Sequence, residues 1–145
     1  MSYSSFKNIK ASFKFSQAFD KKDLPAYAIQ YIKSETVLAV YKTERDFGIF
    51  TDKKLVLFDN GKNRKQIYTI PYKSISMLSV CFLDDSSELT LFIDSGCSIN
   101  LMFVDMYPKD KLRLRVLYNC VDKIISGEKP IKEDMESLIN NKISL

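Results

Sequence analysis

The chain has 145 residues, 46% of them hydrophobic and 28% charged, which is the balance of a single globular domain. It contains no histidine, so a Ser-His-Asp or Cys-His catalytic site cannot be built from this chain alone. The net charge of +4 is too small to indicate nucleic-acid binding by itself. These properties favour a non-enzymatic domain, and we do not expect nucleic acid as a partner.

The cysteines and the hydropathy pattern bear on the location of the protein. Cys81, Cys97 and Cys120 are far apart and odd in number, which fits neither a disulfide framework nor a paired-cysteine metal site. No apolar run approaches the roughly 20 residues that a membrane-spanning helix needs, and no secretory signal pattern follows the first lysines. We therefore predict a cytoplasmic protein without a metal or cofactor, with a peripheral position at the membrane as an alternative.

The first 22 residues form a basic and aromatic segment. Five lysines against one aspartate give this segment a charge of +4, which equals the net charge of the whole chain. Phe6 and Phe13 suit one helical face, but the phenylalanines from Phe13 onwards also alternate as in a strand, so the structure type stays open. We predict an N-terminal arm over residues 1–22 and a short helix over residues 23–34, with Asp23 as its N-cap.

Residues 36–104 predict a β domain. Seven segments rich in β-branched and aromatic residues are separated by short turns, of which Asn60-Gly61 is the clearest. The segments are residues 36–43, 47–51, 54–58, 65–71, 74–82, 88–93 and 97–104. Seven short strands with tight turns predict an antiparallel barrel or sandwich.

Two helices are predicted after the strands. Pro108 suits the first turn of a long helix and Gly127 its end, and apolar residues recur between them at helical spacing, so this helix must pack on the strands. Pro130 opens a second, shorter helix, which is not stable alone in water. Its apolar face must therefore pack on its own domain or on another chain, and the sequence leaves both open. That face consists of Ile131, Met135, Leu138 and Ile139.

The order of several short motifs resembles one protein family. An Arg45-Asp46 pair, a Phe-Thr-Asp-Lys-Lys-Leu hairpin at residues 50–55 and a Pro-Tyr-Lys-Ser-Ile corner at residues 71–75 follow one another as in bacterial pleckstrin-homology (PH) domains. Lys54 departs from the arginine that is usual at that place. The resemblance implies a mainly β, PH-like barrel or sandwich of seven antiparallel strands, capped by a C-terminal helix. We place this domain at residues 35–127.

The segments outside that domain are extensions by comparison with the family. These are the N-terminal arm, the short helix that follows it, and a C-terminal helical extension over residues 128–145. The resemblance implies a non-enzymatic domain that often self-associates. We therefore predict a binding or scaffold protein that self-associates and engages a protein partner, with strand edges and terminal segments as the contacts. The candidate interface residues are Arg45, Asp46, Phe6, Phe13, Ile131, Met135, Leu138 and Ile139.

Basic residues near two turns suggest an alternative function. Clustered ammonium and guanidinium groups bind phosphate through charge-assisted hydrogen bonds, and in eukaryotic PH domains basic residues near the first hairpin hold inositol phosphates. The alternative is therefore peripheral binding to an anionic membrane or a phosphate-bearing ligand. The residues concerned are Lys53, Lys54, Lys62, Arg64 and Lys65, which a solvated surface would also explain. A further alternative is the sequestration of a small anionic molecule between subunits.

Overall fold

Nine strands in the described part of the chain form two sheets. The computed structural model describes residues 10–15, 17–18, 21–32, 34–43 and 45–140. The first two strands are β1 (Lys10–Phe15) and β2 (Gln17–Ala18). The other seven are β3 (Val37–Lys42), β4 (Phe47–Thr51), β5 (Lys54–Asn60), β6 (Lys65–Pro71), β7 (Ile75–Phe82), β8 (Ser87–Ile93) and β9 (Ser98–Phe103). All seven predicted strands are confirmed within a residue or two of their expected bounds.

The two sheets pack as a sandwich that is closed on one side. The strand order is β1-β9-β8-β7 in the first sheet and β2-β3-β4-β5-β6 in the second. Because β1 pairs with β9 and β2 pairs with β3, the consecutive strands β1 and β2 join the sheets along one side. On the other side β6 and β7 remain edge strands. The predicted sandwich is confirmed, and the sheets do not close into a full barrel.

Two strands from the N-terminal segment add to the predicted seven. Residues 10–15 lie within the segment that we described as an arm, and they form β1, which pairs in parallel with β9 from Lys10 opposite Ser98 to Phe15 opposite Phe103. The sheets are therefore not entirely antiparallel. Phe13 and Phe15 both point into the core, which explains their alternation in the sequence.

Three α-helices lie in the described residues: α1 (Ala26–Ile29), α2 (Pro108–Ile125) and α3 (Lys132–Ile139). The predicted long helix and terminal helix are confirmed, and Gly127 follows α2 with a φ of 79°, as its predicted role at the helix end requires. Helix α1 is shorter than predicted. Asp23 ends a separate 3-10 turn and does not cap it, because Pro25 occupies the N-cap position.

Apolar residues fill two cores on opposite faces of the second sheet. The main core lies between the sheets and under α2, where Leu114, Leu117 and Val121 are buried. A smaller core lies on the outer face of β3, β4 and β5, and the segment around α1 covers it through Leu24, Ala28 and Ile32. These three strands are therefore buried on both faces, so their chemistry-bearing side chains are confined to the strand ends.

Candidate functional site

Arg45 and Asp46 tie two neighbouring turns together. The Asp46 carboxylate accepts a hydrogen bond from the backbone N–H of Asn60 (2.8 Å) and lies 3.2 Å from Arg45 Nε. Arg45 Nη2 lies 3.4 Å from Asp59 Oδ1, and Asn60 Nδ2 donates to the Arg45 carbonyl (2.7 Å). Asp46 is nearly buried. The pair thus fixes the β3–β4 turn against the end of β5, and its role as an interface contact stays a prediction.

The hairpin motif forms a second, partly buried network. Thr51 Oγ1 donates to Glu35 Oε1 (2.6 Å) and accepts from the backbone N–H groups of Lys53 and Lys54. Lys54 Nζ completes the network at 2.9 Å from Glu35 Oε2. Burial raises the pKa of Glu35, but the hydrogen bond from Thr51 and the charge of Lys54 outweigh it, so that the net pKa lies below the usual value. The network therefore holds a carboxylate at neutral pH.

The Pro-Tyr corner joins the same network. Tyr72 is fully buried, and its hydroxyl donates to the Thr51 carbonyl (2.7 Å). Burial and the nearby carboxylates of Asp52 and Glu35 raise the pKa of Tyr72 well above its usual value, so the phenol stays protonated. Thr51, Lys54 and Tyr72 of the recognisable motifs therefore belong to one structural network.

The five basic residues do not form one patch. Lys53 and Lys54 lie at the start of β5, and Lys62, Arg64 and Lys65 lie beyond its other end. Six residue steps along a strand separate the two ends by roughly 20 Å. Lys54 is also engaged by Glu35. The remaining group that could contact one anionic surface is the set of three exposed residues at the β5–β6 turn.

Most of the apolar interface candidates pack against the core of this chain. Phe13 is 4% exposed and meets Tyr68 edge-on, with ring centroids 5.8 Å apart. Leu138 is 2% exposed in the main core, and Met135 and Ile139 pack beside it. Ile131 is 47% exposed. Phe6 lies outside the described residues. Helix α3 thus packs on its own domain through Leu138, whereas the sequence had also allowed packing on another chain.

The open side of the sandwich is a feature that the sequence analysis missed. We call β6, β7 and the 3-10 turn between them the open corner (residues 65–82). Met77 on β7 is 52% exposed and Ile67 on β6 is 40% exposed. Residues 66–82 contain a single charged side chain, Lys73, in a chain that is 28% charged. Natural edge strands are usually protected by charged residues. The scarcity of charge in residues 66–82 is therefore a sequence signal that could have indicated an unprotected edge.

A groove lies between the end of β7 and the first turns of α2, which we call the β7–α2 groove. Its volume is about 360 Å³, and its apolar walls are Phe82, Met106 and Leu112, with Pro108 at one side. The charged side chains that line it are Asp84, Lys111 and Arg115. The Arg115 guanidinium lies over the Phe82 ring, 4.6 Å from its centroid. Lys111 Nζ donates to the carbonyls of Leu83 and Asp84, so it anchors the β7–β8 turn to the helix.

With this geometry established, a comparison with protein-family models decides the family. The model for the bacterial PH domain matches residues 8–125. The chain belongs to the bacterial PH domain family. The match begins before the domain start that we predicted at residue 35, so it includes the segment that forms β1, and it ends at the last residue of α2.

Solved structures agree with the bacterial PH fold. A PH domain-containing protein from Exiguobacterium sibiricum 255-15 is 21% identical, with a TM-score of 0.59 over 77% of this chain and 62% of that chain. A DUF1696 family protein with a pleckstrin-homology domain from Shewanella loihica PV-4 is 24% identical, with a TM-score of 0.54 over 73% of this chain and 95% of that chain. At these identities the likeness shows the fold alone.

A curated bacterial relative is closer in sequence over a shorter stretch. The uncharacterized protein YjqA of Bacillus subtilis (strain 168) is 42% identical over an alignment of 72 residues, which covers 45% of this chain and 57% of that protein. The chain thus spans little more than half of the length of this relative. A PH-like fold is consistent with a binding or scaffold role.

Other features of the bacterial PH domain bear on its chemistry. Among the residues that the structure describes, no group of three or more His, Cys, Asp or Glu side chains could hold a metal ion. No helix in the same residues is long and apolar enough to cross a membrane. Cys120 is buried, and burial together with the charge of Asp134 raises the pKa of its thiol to about 11. Cys81, in contrast, is exposed on β7.

Proposed function

We propose that this bacterial PH domain is a non-catalytic binding module that self-associates through its open corner. The observation that carries the proposal is the combination of two exposed edge strands with only one charged residue between positions 66 and 82. An edge with few charges invites pairing with another strand, and natural monomers avoid it. A second copy of the chain can pair with the β6 edge without any other partner.

Strand β6 is the edge best suited to pairing with itself. The backbone N–H of Tyr72 donates to the Lys53 carbonyl, so these two residues form a hydrogen-bonded pair that continues the β5–β6 ladder. In an antiparallel ladder alternate residues point their backbone groups away from the partner strand. Lys65, Ile67 and Thr69 therefore direct their N–H and C=O groups outward, and a second β6 strand can pair with them.

The charge pattern of β6 also suits a two-fold axis. Antiparallel pairing of two β6 strands about Tyr68 places Ile67 of one copy opposite Thr69 of the other, and Lys65 opposite Pro71. The two Lys65 side chains then lie at opposite ends of the ribbon, roughly 20 Å apart. Like charges are thereby kept apart, so the single lysine of this strand does not oppose self-pairing.

The mass of the protein in solution tests this proposal. We expect light scattering coupled to gel filtration to give twice the chain mass of 16.8 kDa for the wild type. Thr69→Pro removes an outward N–H and leaves the bonds to β5 intact, so it should give a folded monomer. Thr69→Val keeps the N–H and serves as the matched control. A wild type that stays at 16.8 kDa at every concentration up to about 1 mM contradicts self-association.

Peripheral binding to an anionic surface is the second candidate function. Its support is the set of three exposed basic residues at the β5–β6 turn: Lys62, Arg64 and Lys65. It predicts cosedimentation with phosphatidylserine vesicles that weakens with salt and with Lys62→Glu. Equal binding to phosphatidylcholine vesicles counts against it. The sequestration of a small anion between subunits, and a cytoplasmic location, stay predictions from the sequence.

A further inference from the structure

The β7–α2 groove lies beside a strand edge that is only partly covered. The backbone N–H of Leu83 donates to the Ser86 carbonyl, so these two residues form a hydrogen-bonded pair that continues the β7–β8 ladder. Leu78, Val80 and Phe82 therefore point their backbone groups away from β8. Helix α2 covers the first of these positions, because the Tyr118 hydroxyl lies 3.4 Å from the Leu78 carbonyl. The outward backbone groups of Val80 and Phe82 are left next to the groove.

We propose that the β7–α2 groove binds an extended peptide segment of a partner protein that carries a large apolar residue and an acidic residue two positions apart. The proposal rests on the role of the protein as a binding module and names a partner for a second surface, distinct from β6. The peptide adds as a short strand to the free end of β7, where main-chain hydrogen bonds supply affinity and side-chain pockets supply specificity.

The walls of the groove determine the apolar residue. Phe82, Met106 and Leu112 form the apolar lining of a space of about 360 Å³, which is large enough to accept an apolar side chain. Side chains that are two residues apart on a strand point to the same face. A peptide paired with β7 therefore directs every second side chain towards α2, and one of these side chains enters the groove.

Charge determines the acidic residue. Arg115 is exposed and lines the groove, and its guanidinium lies over the Phe82 ring. A stacked guanidinium is already oriented for a carboxylate, which lowers the entropic cost of forming the pair. Lys111 adds a second positive charge and Asp84 a negative one, so the lining carries a net charge of +1. Asp84 disfavours an acidic residue at the end of the peptide that lies over the β7–β8 turn.

Fluorescence anisotropy with synthetic peptides and the full chain tests the proposal. The probes are labelled nine-residue peptides with an alternating Thr-Val frame that carry leucine and glutamate two positions apart, in both orders. Their controls replace the glutamate by lysine or place the same two residues one position apart. For one order, we expect the glutamate peptide to bind the wild type at least about tenfold more tightly than its lysine and one-apart controls.

Variants then separate the groove from the strand edge. Arg115→Glu should reverse the preference so that the lysine peptide binds more tightly, and Lys109→Glu, on the same helix but outside the lining, should leave it unchanged. Val80→Pro should abolish peptide binding, since it removes an outward N–H without breaking the ladder to β8. Wild-type binding that does not distinguish glutamate from lysine, or no binding to any peptide, overturns the proposal.

The result of the peptide-binding experiment does not depend on whether the protein self-associates. Arg115→Glu should keep the mass of the wild type, because β6 is not altered. Peptide binding without a dimer refutes the proposed self-association alone, and a dimer without peptide binding refutes the groove alone.

Discussion

Thr51 Oγ1 donates a hydrogen bond of 2.6 Å to Glu35 Oε1, and this contact ties the β4–β5 turn to the segment that precedes β3. The same hydroxyl accepts backbone N–H groups from Lys53 (3.1 Å) and Lys54 (3.0 Å). Thr51 is fully buried, so no water can replace these partners. The hydroxyl therefore closes the turn and holds the carboxylate that pairs with Lys54.

Replacing Thr51 by valine should destabilise the protein while keeping the shape of the side chain. Two backbone N–H groups would lose their acceptor and Glu35 would lose a donor, so we expect the free energy of unfolding to fall by about 1–3 kcal/mol. Urea denaturation followed by circular dichroism measures this change. The matched control is Thr36→Val at an exposed position, for which we expect less than about 0.5 kcal/mol. Equal effects of the two substitutions would contradict the role of the Thr51 hydroxyl.

Glu35 should make stability depend on acid pH. Its pKa in the folded state is lowered, because the hydrogen bond from Thr51 and the ion pair with Lys54 outweigh the effect of burial. The carboxylate therefore contributes stability above its unfolded pKa of about 4.3, and this contribution is lost as the pH falls through the folded value. Glu35→Gln should cost about 1–3 kcal/mol at pH 7. Denaturation from pH 7 to pH 2 should show this difference shrinking below about pH 4.3; a constant difference would argue against it.

Strands β3 to β9 and helix α2 could be predicted from the sequence because their signals are local. Alternation, turn residues such as Asn60-Gly61 and the proline and glycine at the ends of α2 each act within a few positions. The parallel pairing of β1 with β9 could not be predicted, because it joins residues that are 88 positions apart, such as Lys10 and Ser98.

The candidate sites were harder to predict because they depend on strand order. No local sequence signal shows that β6 and β7 are edge strands. The scarcity of charge between them becomes informative only when this strand order is known. The basic residues at the two ends of β5 appear close in the sequence, but the seven-residue strand between them sets them apart. The position of Leu138 likewise depends on a tertiary contact that no helical pattern specifies.

Gly48 provides the space that β1 needs in the core. A Cβ atom at this position would lie 2.9 Å from Leu57 Cδ2 and 3.1 Å from Phe15 Cζ, and both of those side chains are buried. Overpacking of this kind costs about 1–3 kcal/mol, so we expect Gly48→Ala to destabilise the protein by that amount. Phe15→Leu should reduce the cost of Gly48→Ala in a double-mutant cycle measured by urea denaturation. Additive effects would show that Phe15 does not contact this position.

Helix α3 should stabilise its own domain through Leu138. Because this side chain is 2% exposed in the main core, we expect Leu138→Ala to lower the free energy of unfolding by about 2–5 kcal/mol. Ile131→Ala is the matched control, since Ile131 is 47% exposed and should change stability by less than about 0.5 kcal/mol. The dependence on protein concentration is measured in the Thr69→Pro background. If the helix packs within one chain, the loss of unfolding free energy caused by Leu138→Ala stays constant over a 100-fold change of protein concentration. A difference that grows with concentration would instead place Leu138 at a contact between chains.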